Sequence, residues 1–369
     1  MKTLHLLGDS LVKAYGNDID NFIGGWGDHL GSFFDSDEIC VKDYANGGRS
    51  SRSFLNEGRF IDNGLFTEDD FPYGLGPAYD HIEKGDYCLL EFCHNDDNSK
   101  GKATYIDRMT PLGTPNEKGV YPTIVPTEDM LVSTASFPPE YPDILKQDGM
   151  SEDEIQQNII KYKEILSGYT DKYYSYGCGA TYKGYLKYYI DKIRAKGAIP
   201  VIVTPPARQY WEDGRIASIP GHHGGSDEYG DFKYIRAAKQ LGAEENVAVV
   251  DLFDFTVKFI EMLGETDAKY LQSIVGYDNM TLGESQYDRP AKWPMDYDKY
   301  WDDMNFKRVD DTHTNRFGSF IYAGEIARQL SNQFEDLAAL KLDKASKTVA
   351  HPARLNGRLK DISDFVNQL

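Results

Sequence analysis

Five short apolar runs limit what this chain can become: Thr3–Leu7, Ile39–Tyr44, Tyr87–Phe92, Ile199–Thr204 and Val247–Leu252. Each is long enough for one strand and too short for a buried helix. Their near-continuous apolar character is that of strands covered on both faces. Between and after them lie stretches with helical periodicity, clearest at Trp26–Phe34, Glu152–Leu166, Tyr182–Lys196, Phe232–Leu241, Phe253–Leu263 and Ser319–Leu330. Strands alternating with helices predict the α/β class: a three-layer α/β/α sandwich around a five-stranded, mostly parallel sheet.

The chain has 369 residues, 40% of them hydrophobic, enough for one enlarged domain. The spacing of the runs predicts a main domain over 1–335 with two long insertions, at about 98–181 and 264–309. Residues 336–369 are expected to form a docked helical extension. The net charge of −19 repels phosphate backbones and anionic lipid, so nucleic acid and membrane are not expected partners. The four cysteines (Cys40, Cys88, Cys93, Cys178) form no CxxC pair, and neither a zinc site nor a disulfide framework is indicated. The start of the chain lacks a signal-peptide layout and no apolar run reaches the length of a membrane span, so a cytoplasmic protein is expected. The oligomeric state is not legible.

Chemistry enters where the first run ends in Gly8-Asp9-Ser10-Leu11. Glycine permits a sharp exit from a strand, and Asp-Ser can open a helix. Ser10 would then project from the carboxyl edge of the sheet, where open α/β folds build their sites, with its N–H near a helix amino end. Alone, such a serine is more simply an N-cap.

Three further segments reach the same edge. After the second strand, Gly47-Gly48 allows a tight turn that presents a backbone N–H, with Arg49 and Arg52 beside it. After the third, Cys93-His94-Asn95-Asp96 delivers an amide donor that can face a developing oxyanion. Before the last helix, Asp310 and His313 are spaced so that a tight turn sets the carboxylate against the imidazole Nδ1 and aims Nε2 at Ser10. That is how a weak hydroxyl nucleophile is activated.

Together, Gly8-Asp9-Ser10-Leu11, Gly48, Asn95 and Asp310-x-x-His313 resemble the SGNH, or GDSL-type, hydrolase superfamily. Gly25-Trp26-Gly27, the segment from Gly48 to Phe54, Glu57-Gly58-Arg59-Phe60, Glu91-Phe92-Cys93-His94-Asn95-Asp96 and Asp310-x-Thr312-His313-Thr314 look like rhamnogalacturonan acetylesterases. The likeness spans roughly Thr3–Leu330, outside the two insertions. It implies a flavodoxin-like SGNH fold. It also implies that Ser10 is the nucleophile, His313 the base and Asp310 its orienting carboxylate. The N–H groups of Ser10 and Gly48 with the Asn95 side chain would form the oxyanion hole. No metal or organic cofactor is implied. Cys93 stands where the family usually has glycine, and nothing in the sequence places a base beside it.

The substrate implied is an acetylated plant cell-wall oligosaccharide, of rhamnogalacturonan, pectin or xylan type. A lipase or thioesterase of the same fold, or a non-catalytic glycan-binding module, are the other readings. Trp26, Trp211, Trp293 and Trp301 offer flat faces to sugar rings, and Asp9, Arg49, His94 and His222 are further candidates for contact. Arg49 and Arg52 could meet a uronate carboxylate, although pairing with Asp43 or Asp9 is the simpler expectation. His222-His223-Gly224-Gly225 reads as a surface loop, without the further ligands a two-histidine metal site needs.

Overall fold

The five apolar runs become the five strands of one parallel sheet in a computed structural model, which describes residues 1–16, 23–63, 76–97, 108–131, 142, 146, 150–166, 173–174, 177–274 and 309–368. The strands are β1 (Lys2–Gly8), β2 (Ile39–Asp43), β3 (Tyr87–Glu91), β4 (Ile199–Val203) and, after the short pair β5 (Trp211–Glu212) and β6 (Arg215–Ile216), β7 (Ala248–Val250). Their order is β2-β1-β3-β4-β7, and every neighbouring pair is parallel. The chain therefore winds outward in both directions from β1, the doubly wound arrangement whose ligands gather at the carboxyl edge where the order reverses.

Side chains alternate across this sheet, and each face has its own helices. Leu4, Leu6, Tyr87, Leu89, Val201, Val203 and Val250 pack with Phe255, Phe259, Ile326 and Leu330 of helices Leu252–Ala268 and Arg316–Gln333. Leu7, Cys88, Leu90 and Ile202 pack with Tyr185, Tyr189, Ile190 and Leu241 of helices Tyr182–Ala195 and Lys233–Glu245. Burying each such aliphatic side chain contributes about 1.5–3 kcal/mol, which is why near-continuous apolar strands settle in the middle layer.

Residues 264–274 depart from the expected irregular insertion. The helix from Leu252 breaks at Gly264, where φ is +79°, a second helical segment runs on to Ala268, and Gln272–Ile274 forms β8, which pairs antiparallel with β9 (Val309–Thr314). At the other end of the chain, helix Leu359–Gln368 sets Phe365 against Phe255 and Phe259, with ring centroids 5.8 and 5.6 Å apart. Among the described residues no helix is long and apolar enough to cross a membrane.

Candidate active site

Ser10 follows β1 directly. A side chain at Gly8 would collide with Glu91 O and Val12 Cγ2, at 2.7 and 2.3 Å from its Cβ, so only glycine lets β1 turn this close to β3. The turn is a single one, closed by Lys13 N–H donating to Asp9 O at 3.0 Å, and no helix starts here. The expected helix amino end is absent because the chain must double back to Trp26, whose N–H donates to Leu11 O.

His313 arrives on β9 rather than on an isolated tight turn. β8 spans three residues and β9 six, with a register irregularity between them. That slack lets Asp310 fold over its own strand. Its Oδ1 accepts the N–H groups of Thr312 and His313 at 2.7 and 2.9 Å, and its Oδ2 accepts His313 Nδ1–H at 2.8 Å. With the proton on Nδ1, Nε2 carries the lone pair and accepts the Ser10 hydroxyl at 2.8 Å. Burial works against a charged His313, but the Asp310 bond and charge, with the charge of Asp9, outweigh it and raise its pKa above the ordinary imidazole value. Burial likewise opposes a charged Asp310, yet His313 and the two backbone N–H groups hold its pKa low. An ionised carboxylate, a tautomer-fixed imidazole and a hydroxyl thus stand in one line.

Two backbone donors at this edge are left open. Neither Ser10 N–H nor Gly48 N–H has an acceptor among the described residues. Gly48 has φ +77°, a conformation other residues rarely take, and Gly47 lies against Ser10, a Cβ there being 3.7 Å from the serine's. The Asn95 amide reaches the same edge but is already engaged. Its Nδ2 donates to Asp9 Oδ2 and to Arg49 O, each at 3.1 Å. A charged oxygen would have to draw one of these hydrogens away, and both bonds are long enough to be exchanged.

No protein-family model matches the chain. The Bacillus subtilis protein named "Probable rhamnogalacturonan acetylesterase YesY" is 29% identical over 263 residues, 71% of this chain and 75% of its own. "Rhamnogalacturonan acetylesterase RhgT", also from Bacillus subtilis, is 34% identical over 107 residues, 28% of this chain and 39% of its own. The chain is similar to these rhamnogalacturonan acetylesterases. Among solved structures, phospholipase A1 from Streptomyces albidoflavus aligns over 87% of this chain and 97% of its own, at 12% identity and a TM-score of 0.34.

Behind Ser10 the chain carries a second set of ionisable groups. Asp9, Glu91 and His94 bring donor atoms within 4.8 Å of one another, with His94 Nδ1 3.8 Å from Asp9 Oδ2 and 3.7 Å from Glu91 Oε1. Two carboxylates and an imidazole are a donor set that a divalent cation accepts. Protons alone can also balance it. Burial pushes Asp9 up to about 6 and Glu91 well up, while burial and the Arg208 charge hold His94 far below its usual value.

This cluster corrects two expectations. Asp9 and His94 do not line the cleft; Asp9 accepts Leu11 N–H at 2.9 Å and holds Asn95, and His94 points inward. Trp26 is also core, with its indole N–H turned towards Glu91. Arg49 is paired, but with Glu57 at 2.8 Å rather than with Asp43 or Asp9, and Arg52 is buried with Nη1 on Tyr174 O. Trp211 is half-buried against the core. Trp293 and Trp301 lie outside the described residues.

The His222–Gly225 segment is buried, not a surface loop. His222 donates from Nδ1 to Ala217 O and accepts Arg208 N–H at Nε2, each at 2.9 Å, so it pins the chain instead of meeting a ligand. His223 sits 3.1 Å from Cys93 Sγ through Nδ1, so a base does stand beside that thiol. Its Nε2 faces Pro206 O at 3.2 Å and must donate, leaving Nδ1 to accept from the thiol. Burial pushes Cys93 up and His223 down, which keeps both neutral. Cys93 therefore replaces glycine as a strut, at φ 158°.

One residue was missed. Arg208 follows the carboxyl end of β4, the sheet edge that already supplied Ser10, Gly48 and Asn95. The position after the fourth strand was the available signal.

Proposed function

We propose that this chain removes acetyl groups from acetylated plant cell-wall oligosaccharides of the rhamnogalacturonan type, with Ser10 as nucleophile. The observation that carries the reading is the line Ser10 Oγ–His313 Nε2 and His313 Nδ1–Asp310 Oδ2, 2.8 Å at each step. The relatives named rhamnogalacturonan acetylesterases support the substrate class.

The chemistry follows from the geometry. His313 Nε2 takes the Ser10 proton as the hydroxyl oxygen attacks the acetyl carbonyl, and Asp310 stabilises the imidazolium that forms. The carbonyl oxygen becomes an oxyanion held by Ser10 N–H, Gly48 N–H and one hydrogen of Asn95 released from Asp9 or Arg49 O. His313 passes its proton to the departing sugar oxygen, leaving an acetyl-serine. Water, deprotonated by His313, then repeats the attack, releasing acetate and restoring Ser10.

The test is Ser10→Ala. Turnover of 4-nitrophenyl acetate and acetate release from acetylated rhamnogalacturonan oligomers should both fall by at least about 10³-fold, with the thermal melt unchanged. A variant that keeps the wild-type rate would end the assignment. A preference for long acyl chains over acetate would move the substrate to the lipase class.

A further inference from the structure

We propose that Arg208 is the residue that recognises a substrate carboxylate, so that the enzyme selects acetylated chains bearing free uronate groups. The inference rests on the esterase reading of the Ser10–His313 site.

Arg208 ties the two halves of that site together. Its Nη2 donates to His94 O at 2.9 Å, at the residue before Asn95. The next residue, Gln209, donates its N–H to Asp311 O at 2.7 Å, between Asp310 and His313. The half-buried guanidinium is thus fixed between the oxyanion turn and the histidine strand. Its field reaches both, opposing a proton on His313 and favouring the ionised form of Asp9.

Among the described residues no carboxylate pairs with Arg208 directly. Arg49, Arg59, Arg215, Arg236, Arg328 and Arg358 each reach a carboxylate. Arg208 donates only to neutral acceptors, His94 O and, at 3.4 Å, Tyr210 Oη, and its buried Nε has no partner. No carboxylate among the described residues lies within ion-pair distance of it. In a chain with a net charge of −19, a guanidinium on the sheet edge of the reactive serine with which no carboxylate among the described residues pairs is suited to an anionic substrate group. A planar guanidinium is the side chain best matched to a carboxylate. Arg49 and Arg52, the arginines the sequence offered for this task, are committed elsewhere.

The experiment compares three substrates: acetylated galacturonate oligomers with free carboxyl groups, the same oligomers methyl-esterified, and 4-nitrophenyl acetate. The wild type should favour the free acid over the methyl ester through KM. Arg208→Gln should raise KM on the free acid by about 10- to 100-fold, the size of one lost charge-assisted contact. Any loss that comes from its tie to His94 O and its field on His313 should be shared by all three substrates, so the diagnostic is the excess loss on the free acid over the other two, which Arg208→Lys should partly recover. An equal loss on all three would show that the guanidinium serves the fold or the oxyanion instead. Should Arg208→Gln fail to fold, competition decides with the wild type. Galacturonate oligomers should inhibit 4-nitrophenyl acetate hydrolysis and their methyl esters should not; equal inhibition overturns the proposal. A wild type inactive on 4-nitrophenyl acetate and on every oligomer would instead sink the esterase reading itself.

Discussion

Two imidazole–carboxylate clusters lie on either side of Ser10, built from the same residue types and put to opposite uses. In one, Asp310 and His313 stand 2.8 Å apart, and His313 continues to the serine. In the other, His94 lies 3.7–3.8 Å from Asp9 and Glu91, and neither of its ring nitrogens is hydrogen-bonded to a carboxylate. The first retains some exposure and the second is sealed. Contact with a carboxylate therefore does not make a histidine a base. A hydrogen bond that fixes the tautomer does, together with a nucleophile at the other nitrogen.

The largest expected effect separates the two histidines. His313→Ala should lower kcat by about 10⁴-fold with little change in stability, because it removes the base and leaves a half-exposed site. His94→Gln should do the reverse, lowering the unfolding free energy by about 1–3 kcal/mol while the folded enzyme keeps most of its turnover. Steady-state kinetics paired with chemical denaturation reads both. Equal losses of kcat would erase the distinction between the clusters.

Asn95 is where the clusters meet, since its amide rests on Asp9 and, in the proposed mechanism, serves the oxyanion. Asn95→Ala should cost about 10²–10³-fold, in kcat rather than KM, as expected of a donor used mainly in the transition state. A loss confined to KM would mean the amide holds ground-state substrate, and that its bonds to Asp9 and Arg49 O are never exchanged.

What the sequence made legible follows from the range of the interactions involved. The five strands and the sheet edge were readable because apolar runs and a Gly-Asp-Ser exit are local signals. Asp310 and His313 were readable because their partnership spans three residues, even though the strand that carries them was not foreseen. Glu57 as the partner of Arg49, and His223 as the partner of Cys93, depend on packing 8 and 130 residues away, which no local pattern encodes. Trp26 shows the limit from another side. A tryptophan between two glycines fits a sugar platform and a buried wedge equally well, and only the glycines' close approach to Val12 O and Lys13 O decides for the wedge. Arg208 was missed because its meaning lies in what the described residues do not give it, a counter-ion.

The smallest effect tests whether the two clusters communicate through charge. His313 must be unprotonated to accept the Ser10 proton, and its pKa stands above the ordinary 6.5. The acid limb of kcat/KM should therefore have its midpoint above that value, with activity falling as the pH falls through it. The charge of Asp9 helps hold the His313 proton, so Asp9→Asn should move the midpoint down, towards lower pH. About half a pH unit is the scale for one unit charge several ångströms away in a partly screened site. Glu91 is not among the leading groups that act on His313, and burial pushes its pKa well up, so Glu91→Gln should leave the midpoint in place. The midpoint is the diagnostic reading, because disturbing the Asn95 bond in Asp9→Asn would lower the plateau of the profile without shifting its limb. If both variants move the limb equally, Glu91 acts on His313 as strongly as Asp9 does, and the sealed cluster carries a second charge.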